Sequence, residues 1–345
     1  MTSTLQKDFL LVFCLLVGLL CSMQAFSENS VGTDLAATQL DQPSVSRAND
    51  AHEPITPIPL TIDINPSRVE LGRRLFEDKR LSIDGSMACQ SCHFMDKGGA
   101  DGEQFSKSID GGFRKRNTPS IYNVGLKTLY GWYGISNSLE NVSESIIKSK
   151  KGLATNWPTL ISKVVQDPEY MRLFNANYAD GVQPENVKNA LAEYMRSLTT
   201  PNSRFDKYLR GNENALNEHE KEGYRLFKAY GCSSCHQGVA VGGNMVAPFN
   251  IFRNYLEKEK TLDQIEFGRF NKTKDERDKY VFRVPSLRNV ELTAPYFHDG
   301  STTRLESAVD VMGRYMLGRD IPVNHRKQIA SFLITLTGEY QGKPL

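Results

Sequence analysis

Cysteine and tryptophan are scarce in this chain of 345 residues, which has 6 of the first and 2 of the second. Two cysteines, Cys14 and Cys21, lie in the apolar run FLLVFCLLVGLLCSM. The other four fall in two short patterns and leave none for a structural disulfide, which excludes a small disulfide-stapled scaffold. Excess charge of one sign is also missing. The formal net charge is +2, so nothing marks a nucleic-acid surface. Alternating strand-like stretches are few, which argues against an all-β chain. The one long apolar run comes after Lys7 and precedes the small-residue site AFS at 25–27. It reads as a secretory signal over residues 1–27 rather than a retained anchor, and it places the mature chain in the periplasm or another exported location.

Residues 28–62, rich in Ser, Asp, Ala, Asn and Pro, read as a flexible lead without apolar periodicity. Order is expected from Asn65, a helix cap, and Pro66, suited to a first turn. Leu71, Leu75 and Phe76 then suggest a helix. Most of the remaining chain has helical patterning, including Val187, Leu191, Tyr194 and Leu198, and a closing segment with Ile329, Phe332, Leu333 and Leu336. TPNSRFDKYLRGNEN at 200–214 reads as a connector. The expected fold is mainly α, in two domains at 63–203 and 204–345.

The four cysteines spell one pattern twice: CQSCH at 89–93 and CSSCH at 232–236. GRRLF at 72–76 precedes the first and GYRLF at 223–227 the second, so the unit of repetition is an entry helix followed by CxxCH. CxxC alone could be a redox dithiol or half of a zinc site. The adjoining histidine and the second copy favour c-type haem attachment instead. Two thiols add to the two vinyl groups of a porphyrin, and the histidine reaches its iron. Cys89, Cys92 and His93 would hold one haem, and Cys232, Cys235 and His236 a second. The partner at the iron's sixth position then decides between electron transfer and oxidant chemistry. Of the other histidines, His52 falls in the lead, and His219 and His325 read as solvent-facing. His298, in APYFHDG, is either a haem-side residue or a satisfied loop histidine.

RNTPSIYN at 116–123, VPSLRNVELTAPYFHDGSTTRLESAVDVMGRYMLG at 284–318 and the paired CxxCH resemble the bacterial di-haem cytochrome c peroxidases and their MauG-type relatives, over roughly 66–340. The resemblance implies two cytochrome c-like domains, each with one covalently attached haem. The second would be the high-potential electron-entry haem, with Met312 as distal ligand and Met316 as a neighbouring candidate. MauG-type enzymes have tyrosine there. The first would be the peroxidatic haem, with Trp132 relaying electrons between the two. Asn117, Thr293 and Pro295 match an interdomain calcium site of hard oxygen donors. A small cytochrome c or cupredoxin-type donor and a homodimer are further expectations of the resemblance.

The sequence departs from that pattern at three places. Ile109 stands where a loop histidine closes the peroxidatic iron in many members, so this iron would be open from the outset. Val142 and Gly152 stand where the distal Gln and Glu fall. Glu140, Glu144 or Glu193 could supply another carboxylate, though solvent exposure is the expectation for each. RKR at 114–116 could polarise the site but reads as a surface cluster. Three functions are expected, in order: a peroxidase reducing hydrogen peroxide with electrons from an external donor; a MauG-like oxidase of a protein or peptide; a di-haem protein that only transfers electrons.

Overall fold

The computed structural model describes residues 53–249, 251–252 and 267–345. The expectations for the signal segment and for most of the lead, His52 included, lie outside the described residues. The fold is mainly helical, with two small two-stranded sheets among the described residues. Among the described residues no helix is long and apolar enough to cross a membrane.

Two hydrophobic cores organise the chain. The first gathers α1 (Pro66–Glu77), α2 (Leu139–Lys148), α3 (Trp157–Val164), α4 (Pro168–Asn177) and α5 (Pro184–Ser197) around Leu71, Leu75, Phe174 and Leu191. As expected, Asn65 caps α1, its side chain accepting from the Ser67 and Arg68 amides, and Pro66 opens the first turn. The second core joins α6 (Arg204–Leu209), α7 (Glu218–Ala229), α9 (Leu305–Val311) and α10 (Val323–Ile334) around Phe205, Phe227 and Phe332. β1 (Val246–Pro248) and β2 (Val281–Arg283) pair antiparallel, and a short α8 (Phe270–Thr273) falls between them in chain order.

The repeated GxRLF has a physical reason. α1 packs across α5, and α7 across α10. At each crossing a glycine admits the partner's backbone. A Cβ on Gly72 would lie 1.9 Å from the Ala190 carbonyl oxygen, and one on Gly223 would lie 2.0 Å from that of Gln328. Gly72→Ala and Gly223→Ala are each expected to force the helices apart and lower stability by about 1–3 kcal/mol. Urea denaturation would measure the loss, and no change in midpoint would contradict the close-approach argument.

Both chain ends cross the expected division at 203/204. The lead does not remain unpacked to residue 62. Ile55 and Ile58 are fully buried, and Ile55 joins the second core. The Gly238 amide donates to the Pro54 carbonyl at 2.8 Å, and Arg288 to the Thr56 carbonyl at 3.0 Å. Two isoleucines three apart, with a proline between them, make too short a pattern to reveal burial by period. At the other end β3 (Glu339–Tyr340) pairs with β4 (Lys343–Pro344), and Tyr340 and Leu345 pack on the first core.

Candidate haem cavities and the seam between them

The first pattern comes after α1. Cys89–Ser91 form one tight 3-10 turn, fixed by the Ser91 hydroxyl accepting from the Ala88 amide at 3.0 Å. His93 Nδ1 lies 3.1 Å from the Gly99 carbonyl oxygen. A ring nitrogen donating there leaves Nε2 free as a metal ligand and fixes the ring's orientation. Burial lowers the His93 pKa, against the pull of that carbonyl, so the neutral ligand form is favoured. Burial also pushes the Cys89 thiol up to about 12, with Cys92 adding to the shift, and raises Cys92 as well. His93 opens on a cavity whose other walls include Phe76, Met95, Lys107, Ile109 and Tyr194.

The second pattern is joined to α7 through Gly231, whose φ of 89° makes the turn that side chains disfavour. Burial pushes His236 down to about 4 and Cys232 up to about 12. Cys232, Cys235, His236, Met312 and Met316 all line one cavity. Met312–Met316 form a π-helical turn continuing α9, a local widening often found at functional sites.

These environments separate the readings of CxxCH. All four cysteines are free, with raised thiol pKa values rather than the lowered ones of a dithiol redox centre. Among the described residues no cluster of His, Cys, Asp and Glu could hold a metal ion, so the two patterns do not combine into a zinc site. Covalent haem does fit. The second pattern presents both thiols, a neutral imidazole and the Met312 thioether to one cavity, and the first presents the His93 imidazole to another, with Cys89 and Cys92 in the turn that leads to it. Iron held by imidazole and thioether is a known electron-transfer arrangement.

Trp132 lines the second cavity and ties the loops between the two patterns. Its indole N–H donates to the Asn117 carbonyl at 2.8 Å, and its own carbonyl accepts from the Arg283 amide at 2.8 Å. The Asn117 amide donates to the His298 carbonyl at 2.9 Å. Asn117, Thr293 and Pro295 line the same cavity as Trp132. The Asn117 side-chain NH2 donates to the Glu103 carbonyl at 3.0 Å. His298 is buried, its ring tilted at 33° to Phe282 with centroids 4.3 Å apart and set edge-on to Trp132 at 6.2 Å. His325 is half-buried, with Nδ1 2.8 Å from the Tyr230 hydroxyl, rather than simply facing solvent.

The departures take definite form. Ile109 is in the wall of the first cavity, where its aliphatic side chain cannot bind iron. Gly152 is buried, and a Cβ there would lie 2.3 Å from the Ile146 carbonyl oxygen. The local backbone therefore excludes any side chain at this position, and Gly152→Glu could not simply restore a carboxylate. The three alternative acids are held in ion pairs: Glu140 with Arg196 at 2.6 Å, Glu193 with Arg196 at 3.1 Å, and Glu144 with Lys148 at 2.6 Å and Lys188 at 3.1 Å. The Lys148 and Lys188 hydrogen bonds hold Glu144 at a pKa of about 2. They are ion-paired rather than simply solvated, and none lines either cavity.

A family model described as di-haem cytochrome c peroxidase matches residues 66–214. The chain is 38% identical over 292 residues to the cytochrome c551 peroxidase of Nitrosomonas europaea, covering 84% of this chain and 85% of that one. It is also 38% identical over 290 residues to the cytochrome c peroxidase of Escherichia coli K12, covering 84% of this chain and 62% of that one. The solved structure of a MauG-like protein associated with microbial copper homeostasis superposes with a TM-score of 0.71 at 26% identity, covering 88% of this chain and 96% of the other. With two histidine-bearing CxxCH cavities and a tryptophan tying the loops between them, the chain belongs to the bacterial di-haem cytochrome c peroxidase family.

Proposed function

We propose that the chain reduces hydrogen peroxide to two waters, taking two electrons from an external donor and two protons from solvent. When bound, the haems supply one-electron redox chemistry and an iron position at which peroxide reacts. The observation that carries this reading is the asymmetry of the cavities. Met312 stands with His236 in the second, whereas Ile109 occupies the wall of the first. A thioether beside His236 suits electron entry. An aliphatic wall beside His93 leaves space for a small oxidant without a loop ligand having to leave first. The usual acid position is closed by Gly152, and Glu77, on the first cavity wall, is paired with Arg73 at 2.6 Å. Asp96, the other carboxylate on that wall, is exposed. Protons therefore reach the cavity from solvent, directly or through Asp96, and O–O cleavage is slower without the usual distal acid.

The two haem-bearing domains correspond, in this reading, to the two cores. Trp132 positions the seam through both its hydrogen bonds and relays electrons across it. Trp132→Phe is expected to slow steady-state peroxide turnover on the order of 10-fold or more while both haem spectra stay unchanged. Unaltered turnover would assign the indole to packing alone. Calcium would bind through Asn117 Oδ1 and the Thr293 and Pro295 carbonyls. The donor would be a small cytochrome c or cupredoxin-type protein, in the periplasm or a comparable exported compartment, and the working form a homodimer. A second reading, oxidation of a protein or peptide in the MauG manner, draws on Ile109. Met312 opposes it.

Rapid mixing of the half-reduced holoprotein with hydrogen peroxide, monitored in the visible and by EPR, tests the proposal. Loss of a high-spin signal within milliseconds, then donor oxidation, is expected. Fast reaction without turnover of small donors would favour a macromolecular substrate. Two low-spin haems indifferent to peroxide would leave only electron transfer.

A further inference from the structure

Three cationic side chains, Arg288, Arg283 and Lys127, line the second cavity. Arg288 is matched: its Nη1 lies 2.7 Å from Asp206 Oδ1, with both side chains fully buried. The other two have no carboxylate partner among the described residues. Arg283, 4% exposed, donates from Nε to the Gly131 carbonyl at 2.7 Å and from Nη1 to the Val284 carbonyl at 3.3 Å, both neutral acceptors. Lys127 is 8% exposed. Its stem packs so closely on Gly243 that a Cβ there would lie 2.8 Å from Lys127 Cγ. Burial, with Arg283 adding repulsion, pulls the Lys127 pKa down to about 7, and burial alone brings Arg283 to about 10.

Two buried, unmatched cations facing one cavity are strongly disfavoured unless anions meet them there. The same cavity holds the two thiols and the imidazole of the second CxxCH. A porphyrin attached at those thiols carries two carboxylates. We infer that Lys127 and Arg283 hold the carboxylates of the haem attached at Cys232 and Cys235, so that its carboxylate edge is turned toward the Trp132 loop and away from solvent. The inference rests on the haem reading of that cavity. It adds a function that metal ligation does not supply. Arg283 already binds that loop through Gly131 and Trp132, so the clamp makes haem seating and Trp132 placement one structural event. Lys127 comes directly after the 3-10 turn Val124–Leu126, which lies against α5 of the first core. The clamp thereby links the second haem to the first half of the chain.

The test is a redox titration of the second haem in fully loaded protein, comparing wild type with Lys127→Met and Lys127→Arg. Methionine keeps the stem and removes the charge. Loss of a nearby positive charge favours the ferric state, so the reduction equilibrium constant should fall about 10-fold, or about 59 mV for one electron. Arginine should stay within about threefold of wild type. A methionine variant with full haem content and an unshifted potential would overturn the clamp. Should that variant not accumulate, a crystal structure of the wild-type holoprotein decides. Haem carboxylate oxygens within about 3.2 Å of Lys127 Nζ support the clamp, and carboxylates turned to solvent refute it. Absence of covalent haem at Cys232 and Cys235 in wild type would instead defeat the underlying haem reading.

Discussion

Asp206→Ala is expected to lower the unfolding free energy by about 3–5 kcal/mol. Asp206 Oδ1 accepts from Arg288 Nη1 at 2.7 Å and from the Ile58 amide at 3.2 Å. Ser203 caps α6 by accepting from the Asp206 amide at 3.0 Å, and it also accepts from Arg288 at 3.2 Å. Removing the carboxylate leaves the Arg288 guanidinium charged, buried and without its counter-ion. It also frees the segment bearing Ile55 and Ile58, which is held through the Thr56 carbonyl and the Ile58 amide. Asp206→Asn should cost less, because an amide oxygen can still accept. An Asp206→Leu, Arg288→Met pair should recover much of the loss, since neither charge is then stranded. Urea denaturation of the holoprotein reads each value. A loss below about 1 kcal/mol for Asp206→Ala would mean the pair is solvated in solution.

His93→Ala should reduce peroxide turnover on the order of 10³-fold or more. The thiols Cys89 and Cys92 remain, so the first haem should still be attached, but its iron loses the imidazole oriented by Gly99. The second cavity does not depend on His93, so the spectrum proposed for a haem held by His236 and Met312 should persist unchanged. That combination distinguishes loss of the reacting iron's ligand from general misfolding. Turnover surviving near wild type would move peroxide chemistry to the second site. Optical spectra and steady-state assays of the same preparation report both quantities.

The two CxxCH patterns are legible in the sequence because their chemistry is local: thiols and ligand lie within five residues. The paired GRRLF and GYRLF are equally visible, and the structure supplies their reason in Gly72 and Gly223. A second repetition is less conspicuous. PSIYN at 119–123 and PSLRN at 285–289 each end in a fully buried asparagine with positive φ, at 56° for Asn123 and 58° for Asn289. Each leads into a 3-10 turn. Both asparagines donate to the Thr200 hydroxyl, at 2.7 and 3.0 Å. The segment expected as a connector is thus clamped by both halves at Thr200. The shared PS-x-x-N spelling carries this signal, while the partner lies 77 and 89 residues away and has no sequence signature.

Cations are harder to read. Lys127 and Arg283 look like ordinary surface residues until burial is known, because the meaning of a charge depends on what surrounds it. The same holds for Glu140, Glu144 and Glu193, whose arginine and lysine partners come from other turns and helices. Ile109 is recognisable as a departure in the sequence, but its place on the wall of the His93 cavity requires the fold. At Gly152 the sequence shows a missing carboxylate. The structure adds that the backbone leaves no room for one.

An open iron beside His93 and a thioether-held iron beside His236 together define the proposed enzyme. EPR of the fully oxidised holoprotein, recorded before any reductant is added, tests this most directly. One high-spin and one low-spin ferric signal are predicted, the high-spin signal disappearing on addition of hydrogen peroxide once the second haem has been reduced. Two low-spin ferric signals in the oxidised protein, with the one that remains after half-reduction unchanged by peroxide, would contradict it, because both irons would then be closed by side chains.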